Sequence, residues 1–261
     1  MKIWSKTSDW DLVLPPSRPN DFQLGLIRNM LLRYDLSTIR VGILGSTPEF
    51  RDLLCELNIK TIVVFDKSID FYKKMSDYRI YDNQEIFVNG NWLDTLSQYS
   101  GYFDVLLSDL TAGNIPYDER KKFHTLIANS LKNSGVFIDK CLTNENGLLS
   151  LEEIERKYNN LSTNLVNVNN FSCEAIFCSE LQKENGIIDT TKIYEKLRNK
   201  FMNNKRILKF IELAHFITPE NCVWYYGKDK IDYVTGLSLV QKNDLPETVY
   251  YNRAWLFFWK K

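Results

Sequence analysis

The chain has 261 residues, one or two domains' worth, and its 44% hydrophobic and 25% charged residues supply a packed core, which excludes a disordered or fibrous protein. Thirty-three Lys+Arg balance 33 Asp+Glu, so no global field draws it to nucleic acid or an anionic membrane surface. Apolar runs such as Ala254 to Trp259 fall far short of the ~20 residues that cross a bilayer.

The first residues, Met1 to Lys6, have no apolar core behind them, so a secretory signal is not expected and the cytoplasm is the default compartment. Five cysteines (Cys55, Cys141, Cys173, Cys178, Cys222) and two histidines (His124, His215) show no metal-ligand spacing. No metal site is expected, and the thiols read as reduced and mostly buried.

Three of the seven prolines fall in Leu14-Pro15-Pro16-Ser17-Arg18-Pro19, which predicts an extended arm. Asn20 or Asp21 caps a helix from Phe22 to about Tyr34, with Leu24, Ile27, Met30 and Leu31 on one face. From Ile39, short apolar runs alternate with helical stretches, the pattern of β-α units on a mostly parallel sheet. Strands are predicted at Val41–Gly45, Thr61–Phe65, Glu85–Val88, Phe103–Leu107 and Gly135–Asp139. Between them come helices at Pro48–Leu57, Ile69–Tyr78, near Asp94, and Tyr117–Leu131.

Beyond Leu142 the regular spacing fails, and the Asn-rich stretch Asn159 to Asn170 reads as part of an insertion. Thr190 or Thr191 caps a long helical region through about His215. Cys222–Tyr226, Ile231–Val240 and Ala254–Trp259 read as strands, with a terminal strand pair. The expected organisation is an arm and helix over 1–38, an α/β core over 39–142, an insertion with helices over 143–220 and closing strands over 221–261.

Chemistry gathers at the strand ends. Leu44-Gly45-Ser46-Thr47-Pro48-Glu49 turns the first strand into a helix and presents backbone N–H groups, although it has neither G-x-G-x-x-G nor G-K-[ST]. The second strand ends in Asp66, about 20 residues beyond Gly45, a spacing at which an acid accepts hydrogen bonds from ribose hydroxyls. Asn91-Trp92 follows the third strand and offers an amide and a flat ring suited to adenine. The fourth ends in Ser108-Asp109. Separately, each has a plain structural reading as a cap or core residue; together they outline a nucleoside-shaped site.

Five motifs resemble the class I S-adenosylmethionine-dependent methyltransferases over roughly residues 14–142: Val41-Gly-Ile-Leu-Gly-Ser-Thr-Pro-Glu49, Val64-Phe-Asp-Lys-Ser68, Asn89-Gly-Asn-Trp92, Phe103-Asp-Val-Leu-Leu-Ser-Asp109 and Leu131-Lys-Asn-Ser-Gly-Val-Phe-Ile138. The first departs from the family's D-x-G-x-G-x-G, with Ile43, Gly45, Thr47 and Glu49 at those positions. It is similar to a subgroup with a G-x-T-P-E turn and an upstream P-x-R-P arm, here Pro16-Ser17-Arg18-Pro19.

The resemblance implies a doubly wound seven-stranded mixed sheet of order 3-2-1-4-5-7-6, an inserted acceptor lid at 143–220 and S-adenosylmethionine as cofactor. It further implies a cofactor set of Arg18, Gly45, Ser46, Thr47, Glu49, Asp66, Lys67, Ser68, Asn91, Trp92, Asp109 and Leu110. Gly45 and its neighbours would face the methionine part, Asp66 the ribose, and Asn91 with Trp92 the adenine. Asp109 would lie near the amino group or sulfonium, and Glu49 or Asp109 would replace the acid lost at Ile43.

The expected activity is methyl transfer to a small-molecule acceptor, which needs alignment and exclusion of water more than acid-base groups, so no catalytic residue is named. Asn114-Ile115-Pro116-Tyr117 lies five residues past Asp109 and reads as a helix-opening turn, and His124 and His215 read as packing residues. The aromatic C-terminal half suits strand packing, an acceptor pocket or a homodimer interface. The competing readings are an inactive methyltransferase-like binding domain and an NAD-dependent oxidoreductase, the latter disfavoured by the missing glycines.

Overall fold

Val41, Ile43, Ile62, Val63, Val64 and Phe65 lie in near-continuous apolar runs, and such runs suit strands covered on both faces. The computed structural model describes residues 10–15, 17–82, 84–142, 147–182, 187–220, 222–225, 236–245 and 254–261. In it these runs are central parallel strands with all six side chains buried.

The first half alternates helix and strand: α1 (Asp21–Leu31), β1 (Arg40–Leu44), α2 (Pro48–Glu56), β2 (Thr61–Asp66), α3 (Ile69–Ser76), β3 (Ile86–Asn89), α4 (Trp92–Thr95), β4 (Phe103–Asp109), α5 (Tyr117–Ser130) and β5 (Leu131–Leu142). Local chemistry sets the helix starts. Asn20 accepts from the Gln23 amide, Pro48 opens α2, and Ser68 accepts from the Phe71 amide.

Next come α6 (Leu151–Tyr158), α7 (Leu165–Ser172) continued by a π-helical turn over Cys173–Phe177, β6 (Ile187–Asp189), α8 (Thr190–Lys200), α9 (Lys205–Ala214), β7 (Val223–Tyr225), β8 (Ser238–Asp244) and β9 (Ala254–Lys260).

The sheet runs β3-β2-β1-β4-β5-β9-β8. β1 to β5 pair in parallel, and β9 is antiparallel to both β5 and β8. Counting its seven strands in chain order gives 3-2-1-4-5-7-6, the expected topology. Two apolar layers clothe it. One joins α1, α2 and the segments after β5 through Ile27, Leu54, Tyr158, Phe210 and Phe258; the other joins α4 and α5 through Leu93, Phe123, Ile127 and Trp259.

The Asn-rich stretch holds a helix of the insertion, because Asn164 accepts from the Asn167 amide and starts α7. Several elements differ from the sequence reading. Asp189, not Thr190 or Thr191, caps α8. The long helical region is two helices, because Asn204 accepts from the Ile207 amide and nucleates α9 after the turn at Phe201. Val223–Tyr225 leaves the main sheet and pairs with Ile187–Asp189 in a separate ribbon. The strand expected at Ile231–Val240 begins at Ser238, and 226–235 lie outside the described residues. Among the described residues no helix is long and apolar enough to cross a membrane.

Candidate functional site

The carboxyl ends of β1, β2, β4 and β5 lie along one edge of the sheet, where the strand order reverses between β1 and β4; open α/β sheets bind ligands at such points. A cavity occupies that edge. It is lined by Gly45, Ser46, Thr47, Asp66, Lys67, Trp92, Asp109 and Leu110, eight of the twelve residues expected from the sequence.

Gly45 has φ 99°, a left-handed conformation that favours glycine, and a Cβ built there would meet open space. Its N–H donates to the Phe65 carbonyl (2.8 Å), which closes the turn against β2. Asp66 is 7% exposed. Its Oδ2 accepts from the Ser46 hydroxyl (2.8 Å) and its Oδ1 from the Ser68 amide (3.0 Å). The Lys67 amide also bonds this carboxylate, and since a carboxylate has about four acceptor sites, one remains for a ligand's hydroxyl. Burial pushes the Asp66 carboxyl above the usual carboxylate range, against the pull of the hydrogen bonds from the Ser68 amide, the Ser46 hydroxyl and the Lys67 amide. Trp92 Nε1 donates to the Phe65 carbonyl (3.1 Å), which fixes the indole at the cavity wall.

Asp109 is ion-paired with the fully buried Lys140 at 2.5 Å. Burial pushes its carboxyl up to about 6, with Lys140 acting in the opposite direction. Leu110 has φ 58°, an uncommon conformation for a branched residue, and its N–H donates to the Lys140 carbonyl (3.0 Å).

Thr111–Asn114 forms a tight turn that also lines the cavity. The Thr111 hydroxyl donates to the Leu44 carbonyl (2.9 Å), and buried Arg120 donates to the Ala112 and Ile115 carbonyls (3.1 and 3.2 Å). The strand-end rule would have found this turn had it been carried past Asp109. Pro116 and Tyr117 open α5, as expected.

The other four expected residues stand behind the cavity wall. Asn91 accepts from the Leu93 amide as the cap of α4, and Ser68 caps α3. Glu49 and Arg18 bind each other: Arg18 Nε donates to Glu49 Oε1 at 2.7 Å, and Trp10 Nε1 donates to the same oxygen at 2.9 Å. The arm is thereby held over the cavity, where Trp10, Val13 and Ser17 contribute to the wall. Asn169 of α7 fixes its middle, accepting from the Leu14 amide and donating to the Leu12 carbonyl.

The rest of the wall is formed by Phe71, Met75, Phe177, Ile188, Ile217, Cys222, Trp224 and others; no sequence motif marks these residues singly, although Phe177, Ile188 and Ile217 fall in the segment expected to form the acceptor lid. His124 is buried on α5, and His215 packs on Tyr194 beside Glu220; neither lines the cavity. Trp259 packs in the core, and Tyr226, Tyr250 and Tyr251 lie outside the described residues. Among the described residues no three His, Cys, Asp or Glu side chains group to hold a metal ion.

No protein-family model matches the chain, and no curated protein resembles it closely enough in sequence to count as a relative. Solved structures do resemble it in shape. A Rhodobacter sphaeroides protein described as a Zn-dependent alcohol dehydrogenase aligns at TM-score 0.58 and 15% identity, over 98% of each chain. An S-adenosylmethionine-dependent methyltransferase from Methanosarcina mazei aligns at 0.53 and 12%, over 89% of this chain and 96% of that one. The Burkholderia thailandensis 1,6-didemethyltoxoflavin-N1-methyltransferase, solved with its substrate and S-adenosylhomocysteine, aligns at 0.51 and 8%, over 91% and 77%. The chain has the class I methyltransferase fold.

Proposed function

We propose that this chain transfers a methyl group from S-adenosylmethionine to a small-molecule acceptor by in-line displacement. The observation that carries the reading is buried Asp66 at the end of β2, with an acceptor site to spare, lining the same cavity as the open space beside Gly45. Asp66 would receive a ribose hydroxyl, Trp92 would border the adenine, and Gly45, Ser46 and Thr47 would flank the methionine part. Bound there, the sulfonium supplies an activated methyl group. The protein's part is to orient an acceptor and keep water out, which the arm and the segments after β5 do by covering the cavity.

The strand order favours this over dinucleotide chemistry, whose usual doubly wound sheet is 3-2-1-4-5-6. Here antiparallel β9 is inserted beside β5, and the turn after β1 has a single glycine. Membership of the G-x-T-P-E subgroup gains support from the contact between its two signatures, Arg18 of P-x-R-P and Glu49 of the turn. A cytoplasmic location is part of the proposal.

Calorimetric titration with S-adenosylhomocysteine, with NAD as competitor, tests the reading. Micromolar binding that NAD does not displace supports it; a folded protein that binds neither contradicts it and favours a partner-binding domain.

A further inference from the structure

Resting on the methyl-transfer reading, the wall facing the strand ends carries a finer inference about the acceptor. Phe177 ends the π-helical turn, Ile188 belongs to β6, Ile217 follows α9, and Cys222 and Trp224 belong to the β7 segment; all five line the cavity. Thr218 and Pro219 complete this roof. The Thr218 hydroxyl is bonded to Ser172 (2.7 Å), its carbonyl accepts from Tyr194 (2.7 Å), and the Pro219 carbonyl accepts from Thr190 (3.0 Å).

None of these seven side chains carries a charge, and burial pushes the Cys222 thiol up to about 11, so it stays neutral at physiological pH. The charged groups of the cavity, Asp66, Lys67, Asp109 and Arg120, belong to the opposite, strand-end side. Asp109 is matched by Lys140, Arg120 by two carbonyls, and Asp66 by Ser46 and the Ser68 and Lys67 amides.

An ionised acceptor would leave water for a wall with no charged group to replace its hydration. A ring meets favourable surface instead: Phe177 and Trp224 stand edge to face, centroids 5.6 Å apart, and form a fixed aromatic corner. We propose that the acceptor is an uncharged, ring-containing apolar molecule received against Phe177, Ile188 and Trp224.

The probes are 2-naphthol and 2-naphthoate, two bicyclic rings of similar size that differ in charge at neutral pH. Titrated calorimetrically into the wild-type protein, with and without S-adenosylhomocysteine, naphthol is expected to bind at least about tenfold more tightly. Equal affinities, or a preference for naphthoate, overturn the proposal. Ile188→Asp, which puts a carboxylate into the roof, is expected to abolish naphthol binding. Trp224→Leu, at a partly exposed site that tolerates exchange, is expected to weaken naphthol about fivefold and leave S-adenosylhomocysteine within about twofold. Unchanged naphthol affinity in a folded Trp224→Leu overturns the placement. Affinity for S-adenosylhomocysteine reports on the proposed function alone: its absence with the naphthol preference intact would remove the methyltransferase reading and leave the ligand class standing.

Discussion

Arg18 and Glu49 form an ion pair at 2.5 Å that ties the N-terminal arm to the first turn of α2, and Trp10 closes the triangle by donating to the same carboxylate. Arg18 returns the contact through the Trp10 carbonyl (3.2 Å) and sits over the Trp10 ring. Two motifs 31 residues apart thus make one latch. Glu49 stands at a position where the resemblance implies a contact to the cofactor, and in this fold its carboxylate holds the arm that covers the cavity.

Glu49→Gln is therefore expected to loosen the arm and spare the sheet. The charge-assisted bond contributes about 1 kcal/mol at this partly exposed site. Chymotrypsin should nick the chain after Trp10 or Leu12 several-fold faster than in the wild type, with the melting temperature nearly unchanged. Equal nicking rates would contradict the latch.

Gly45 holds a conformation that costs an L-residue about 1–2 kcal/mol, and nothing stands where its Cβ would go. Gly45→Ala should lower the melting temperature by several degrees through backbone strain and weaken S-adenosylhomocysteine by crowding the cavity. Gly25, inside α1 with open space around it, is the control: Gly25→Ala should stabilise by up to about 1 kcal/mol. A Gly45→Ala protein as stable as the wild type would refute the strain argument.

Asp109 gives a pH signature. Its folded pKa, about 6, lies above the unfolded value of 3.8, so between these values the folded state holds a proton that the unfolded state has released. Its contribution to stability is complete below the unfolded pKa and is lost as pH rises through about 6. Relative to Asp109→Asn, the wild type should lose stability from pH about 4 to about 6 and run parallel above. Urea denaturation across that range is the measurement; a difference independent of pH would rule the assignment out.

Arg120 is 2% exposed and holds the turn after β4 by two carbonyls. Arg120→Met keeps the volume and removes both bonds, at an expected cost of about 2–3 kcal/mol. Hydrogen exchange at residues 111–115 should quicken while β1 and β2 stay protected. Uniform quickening would mean that Arg120 supports the whole fold and not that turn.

The first five strands were legible because each is a short apolar run bounded by turn residues, and buried parallel strands impose that pattern directly. Asp66 and Gly45 were legible for a related reason: a strand-to-helix turn leaves few choices at its apex. The individual residues of the roof were not, since Phe177, Ile188, Ile217 and Trp224 come from four separated segments whose meeting depends on tertiary packing. Glu49 shows a different limit. Its sequence position is that of a ligand-facing acid, and only the folded arm supplies the guanidinium and indole that engage it. The break between α8 and α9 was hidden because the apolar spacing runs through it, and the Asn204 cap overrides that spacing locally.

The measurement that bears most directly on the central claim is the S-adenosylhomocysteine affinity of the wild type beside Asp66→Ala, by calorimetry, with thermal melts to show that both are folded. Asp66→Ala releases a buried carboxylate that carries a desolvation cost, so its fold should survive. The lost charge-assisted hydroxyl contact predicts that affinity falls by at least about tenfold. Micromolar binding in the wild type with that loss is the expected result; a folded wild type that binds no S-adenosylhomocysteine, or an Asp66→Ala protein that binds it equally well, would contradict the account.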